Sequence, residues 1–191
     1  MTEEIPLDPG RPIVDPHLHL WEVFAEPHKV DPKGVARAQR FLLHEAAAMI
    51  AASGHNVTHT VFVECHAMHR ADGPVDLRPV GETEFANGQA AISASGNYGP
   101  SRIAHRIVGT ANRLLGDAGA PVLEAHVAAA QQRFRGIRMN LAYSEAGMFG
   151  MPGNPDIKGL LTRPAFREGA KVLARMGLSL DVWCFHTQLG E

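Results

Sequence analysis

The chain is short of cysteine, of aromatic residues and of net charge. Its two cysteines, Cys65 and Cys184, make neither a disulfide framework nor a CxxC metal knuckle. A formal net charge of -2 at pH 7 gives no reason to expect nucleic acid or an anionic membrane surface as a partner. No apolar run reaches the roughly 18 residues that a membrane-spanning helix needs. The opening "MTEEIPLDPGRP" carries acids where a secretory signal has an apolar core. No GxGxxG or GxxxxGKS/T follows the first apolar run, which removes the main nucleotide-binding signatures of α/β proteins. These absences leave a soluble, cytoplasmic protein as the expectation. At 191 residues, 45% of them apolar, the chain suits one sizeable core and is too short for two comfortable domains.

What the chain does have is histidine, eleven in all, and a regular alternation of short apolar runs with longer helix-like segments. "PIVDPHLHL" reads as a strand and "GVARAQRFLLHEAAAMIAAS" as a helix, with Phe41, Leu42, Ala46, Met49 and Ile50 at helical spacing and Gly54 as the stop. "THTVFVEC" reads as a buried strand, "GETEFANGQAAISAS" as at least partly helical, and "RIVGTAN" as a weaker third strand. "APVLEAHVAAAQQRF" predicts a helix with Pro121 in its first turn. "RGIRMN" is a fourth strand. "TRPAFREGAKVLARMG" is a helix with Thr162 as N-cap, Pro164 in the first turn and Gly177 at its end, and "LSLDVWCF" is a fifth strand. Strands alternating with helices imply βα units around a parallel sheet, either opened out or curled towards a barrel.

In such folds ligands gather at the C-terminal ends of the strands. The first strand ends in His17 and His19, which a period of two places on one face, where two imidazoles can hold a divalent cation or sit as partly buried structural groups. The second ends in Glu64, Cys65 and His66, the third near Asn112, the fourth in Arg138 and Asn140, and the fifth in His186. Arg138 offers a planar fork for a carboxylate or a developing oxyanion, or else an ion pair with Glu64. His66 and His69 read as loop groups within reach of substrate or solvated. His126 reads as packing or surface, and both cysteines as small apolar groups.

"IVDPHLHLWE" resembles the first strand of the amidohydrolase superfamily, in its amidohydrolase-related branch of sugar-lactone and pyrone-dicarboxylate lactonases. "VFVECHAMHRADGP", "GETEFANG", "FRGIRMN" and "LSLDVWCFHTQL" resemble later blocks of that branch in matching order, from about Pro12 to the last residue. The resemblance implies a (β/α)8 barrel. It maps a metal-binding HxH onto His17 and His19 and a strand 5 ligand onto His186, with a divalent metal, zinc first, or a metal-free mechanism in which histidines and arginines polarise a carbonyl. His17, His19, His186 and Arg138 are thus the expected catalytic groups, with Glu64, His66 and Asn140 contacting substrate.

A complete barrel of this kind has eight strands and about 250 residues, whereas five are read here. The family's strand 6 histidine region and strand 8 aspartate have no counterpart. The expectation is therefore an α/β fold of about five βα units, the N-terminal part of a single unclosed barrel with residues 1–11 as a tail. Such a chain would be nearly inactive alone and would self-associate through open sheet edges. The reaction implied is hydrolysis of a small cyclic ester or related amide. The alternatives are a non-oxidative decarboxylase with Arg138 on the substrate carboxylate, or a non-catalytic half-barrel.

Overall fold

The computed structural model describes residues 6–22, 40–111, 116–147 and 153–191. Five strands, β1 (Pro12–Leu18), β2 (Asn56–Val63), β3 (Arg102–Gly109), β4 (Phe134–Asn140) and β5 (Ser179–Trp183), form one sheet in the order β1-β2-β3-β4-β5. Every neighbouring pair is parallel. The connections contain α1 (Leu43–Ala52), α2 (Val80–Ala94), α3 (Ala120–Ala130) and α4 (Pro164–Arg175). Parallel neighbours need crossovers, and crossovers of one hand curl the sheet. The result is an open half-barrel of βα units, as expected.

The helix-facing side of the sheet carries the core. Phe62, Ile107 and Ile137 are fully buried there and belong to one cluster with Leu43 of α1, Leu123 of α3 and Leu173 of α4. Among the described residues β1 and β5 have no outer partner, and Val14 and Trp183 on these edge strands are 59% and 40% exposed.

Several boundaries differ from the sequence reading. α1 begins at Leu43, where the Glu45 side chain accepts from the Leu42 N–H at 2.9 Å; Phe41 instead bridges Trp21 in extended form. The stretch 34–39 of the predicted helix lies outside the described residues, as does Asn112. β3 starts four residues before "RIVG", at Arg102, and passes through Ala104, which takes a left-handed φ of 52° with its N–H donated to Thr60 Oγ1 at 2.9 Å. Thr162 does not cap α4. Arg163 holds the N-cap position without a side-chain bond, and the Thr162 hydroxyl turns back to donate to Gly159 O at 2.8 Å.

Candidate functional site

The end of β1 is bent by its own sequence. Asp15 Oδ1 accepts from the His17 N–H at 3.0 Å, and the pairing of β1 with β2 shifts between Asp15 and Leu18. His17 and His19 emerge with their rings edge to face, 4.7 Å apart, and their Nε2 atoms 3.1 Å apart. His19 Nδ1 lies 2.8 Å from Val63 O at the end of β2. A carbonyl can only accept, so Nδ1 carries the proton and the neutral ring presents a lone pair at Nε2. Burial, opposed by the Val63 bond and reinforced by Arg138 and His17, lowers the His19 pKa below 6.5, which keeps that lone pair free at neutral pH.

Arg138 reaches the same spot from β4. Its Nε donates to Glu64 Oε1 at 2.8 Å and its Nη2 to Glu64 O at 2.6 Å, while Nη1 lies 3.3 Å from His17 Nε2. The guanidinium also sits 5.7 Å from the centre of the Trp183 ring. Of the alternatives read in the sequence the ion pair with Glu64 is present, and the guanidinium also stands at the cavity wall. His17 Nε2 therefore stands between an obligate donor and a lone pair. It can accept from Arg138 or donate to His19, but a single nitrogen cannot do both.

These groups open on a cavity of about 760 Å³, within the usual size range for small-molecule pockets. Six of the seven residues singled out in the sequence line it: His17, His19, Glu64, His66, Arg138 and Asn140. The seventh does not. β5 ends at Trp183, and Gln188 pulls the following turn away by accepting from Tyr143 N and Phe185 N and donating to Leu141 O. His186 consequently faces a separate pocket of about 430 Å³ beside Tyr143 and Glu145.

His186 thus stands apart from the His17–His19 pair with which it was expected to share a metal. Among the described residues no three His, Cys, Asp or Glu side chains gather as a metal-binding group. The donor expected third at the His17–His19 pair is replaced by the Arg138 guanidinium, a cation that offers no lone pair. The described residues do not by themselves complete such a set, and no chemical step is routed through a metal.

Four lining residues, Trp21, Asp181, Val182 and Trp183, are not singled out in the sequence reading. Asp181 and Trp183 share a face of β5, and Asp181 is the register partner of Arg138. The period of two in "LDVW", read against Arg138, was the available signal.

Behind the strand tips lies a buried polar chain. His126 Nε2 is 3.0 Å from Thr110 O and so carries the proton, leaving Nδ1 to accept from the Thr83 hydroxyl at 2.8 Å; Thr110 Oγ1 in turn donates to Arg138 O at 3.1 Å. His126 is thus a fully buried link stacked on Phe134, and burial pushes its pKa down to about 4. A depressed pKa means that its contribution to stability is complete above the unfolded value near 6.5 and is lost as pH falls towards 4. The loss expected from this group is about 3 kcal/mol. Urea unfolding at pH 7 and pH 4.5 in the wild type and in His126→Gln checks it: the variant should lack most of that pH slope.

No family model matches the chain. It is similar to an uncharacterized protein of Sinorhizobium fredii, y4mH, at 29% identity over 188 residues, which is 94% of this chain and 56% of that one. The chain thus spans about half the length of the curated relative it matches. Among solved structures it is similar to a crystal structure of a probable 2-pyrone-4,6-dicarboxylic acid hydrolase from Acinetobacter baumannii with citric acid bound. That likeness has a TM-score of 0.47 and 12% identity, and covers 88% of this chain and 48% of the other.

Proposed function

We propose that this chain carries the carbonyl-polarising part of a hydrolase that opens a small cyclic ester, of the sugar-lactone or pyrone-dicarboxylate kind, or a related amide. The observation that supports it is His17 Nε2 standing 3.3 Å from Arg138 Nη1 and 3.1 Å from His19 Nε2 at the cavity wall. A substrate carbonyl oxygen entering there takes the Arg138 Nη1 proton as a hydrogen bond, which stabilises the oxyanion that forms at that oxygen. His17 Nε2 is then released from Arg138 with its lone pair free to take a proton. Water adds to the carbonyl carbon, its proton passes to a neutral imidazole of the pair, and the C–O bond of the ring breaks. The same proton is delivered to the leaving ring oxygen, giving an open hydroxy acid.

Ring opening of a panel of five- and six-membered lactones, followed by proton release, tests the proposal. The chain extended to the length of its longer relative is expected to turn over at least one lactone, at least tenfold faster than the 191-residue chain. Carbon dioxide release from a panel of aromatic and enoic acids, with every lactone left intact, would replace the hydrolase with a decarboxylase.

A further inference from the structure

The buried carboxylate of Glu82 has no place in the chemistry above, yet it sits directly behind the tip of β2. Glu82 is in the first turn of α2 and is fully buried. Its Oε1 accepts from two backbone donors at once, the N–H of Cys65 and the N–H of Ala67, each at 2.9 Å. Between and beyond these donors the chain is strained: His66 and Met68 both have left-handed φ values, 61° and 52°, in residues other than glycine. Successive N–H groups around a left-handed residue form a nest that binds anions. Here the anion is supplied by the protein itself.

The helix is pressed against this loop. A Cβ on Gly81 would lie 2.6 Å from Met68 O and 2.9 Å from Arg70 N, so only glycine lets α2 come close enough for the next residue to reach the nest. The second oxygen, Glu82 Oε2, has no hydrogen-bond partner and faces the equally unpartnered Nε2 of His69 at 3.8 Å. A buried carboxylate held by one oxygen alone is costly as a stability device. What it does achieve is local. The loop it fixes carries Glu64, whose Oε1 and main-chain O orient Arg138, and His66, whose ring lines the cavity.

We infer that Glu82 is a positioning residue: its carboxylate fills the nest at the tip of β2 and so holds Glu64 and His66 in place beside Arg138. The inference rests on the functional reading only in that the groups held are the ones assigned there, and its test needs no substrate. Glu82→Gln keeps an oxygen at the nest, whereas Glu82→Ala removes it.

Two signals report on the loop. One is maleimide modification of Cys65, a buried thiol whose pKa burial and Glu82 raise to about 12, with Cys184 as internal control. The other is the Arg138 Nε–H resonance, which marks the bond to Glu64. Glu82→Ala is expected to speed Cys65 modification at least tenfold, to leave Cys184 within twofold, and to lose the Arg138 resonance. Glu82→Gln is expected to stay within threefold of wild type and to keep that resonance. If Glu82→Ala does not fold, Glu82→Gln decides: wild-type behaviour supports the assignment, while exposure of Cys65 or failure to fold overturns it. Unchanged modification in Glu82→Ala, or faster modification with the Arg138 resonance retained, overturns it as well.

Discussion

Replacing Arg138 by methionine is expected to destabilise the fold by about 3–5 kcal/mol, more than any other single change at the cavity. The size follows from what is left behind. Glu64 is 1% exposed, and its Oε2 already has no hydrogen-bond partner. Without the guanidinium its Oε1 and its main-chain oxygen lose their donors too, and a carboxylate remains in the interior with only the His66 ring, 3.7 Å from Oε2, beside it. Removing both members of such a pair costs less than removing one, because no uncompensated charge is stranded. The double variant Arg138→Met, Glu64→Gln should therefore recover a large part of the loss. Urea unfolding of the wild type, the two single variants and the double variant measures this, and additive single effects would contradict it. In the extended protein, the same Arg138 variant should lower lactone turnover about 10²–10³-fold, the usual effect of losing an oxyanion donor.

The second large effect concerns the sheet edges. β1 and β5 each present a row of unpaired backbone donors and acceptors among the described residues, flanked by exposed Val14 and Trp183. Unpaired parallel edges recruit further strands, and a curled sheet leaves its concave face open until they arrive. We expect the 191-residue chain to self-associate at micromolar concentration, and the extended chain to be monodisperse. Sedimentation velocity over a hundredfold range of concentration measures it. A shorter chain that stays monomeric throughout and unfolds in one cooperative step would show that its edges are protected in some other way.

The half-barrel was legible in the chain because each βα unit carries its own signals. β-branched runs such as "TVFV" and helix openings such as "APVLE" act locally, and parallel pairing follows from the spacing between them. The residues at the cavity were legible for a related reason. A period of two sends both imidazoles of "HLH" to one side, and a parallel sheet brings Glu64 of β2 and Arg138 of β4 to the same rim. His186 stands apart from the cavity because β5 stops at Trp183, whereas the sequence reading runs it on through Phe185. The stop at Trp183 goes with three hydrogen bonds of the Gln188 side chain: one is a local cap on Phe185 N, but the two that tie the turn to Tyr143 N and Leu141 O are long-range and recorded by no local pattern. Glu82 was illegible for the opposite reason. A glutamate in the first turn of a helix is the ordinary partner of the helix dipole, and nothing in "GETEF" marks this one as buried beneath a strained loop.

The most direct measurement follows the imidazole and guanidinium nitrogens of the extended protein by NMR during titration with a cyclic phosphonate, a stable mimic of the tetrahedral oxyanion. His17, His19 and the Arg138 Nε–H should shift together along one saturation curve, with His19 protonated at Nδ1 throughout, while His186 stays still. Movement of His186 with no response from the His17–His19 pair would place the ligand in the other pocket and contradict the assignment.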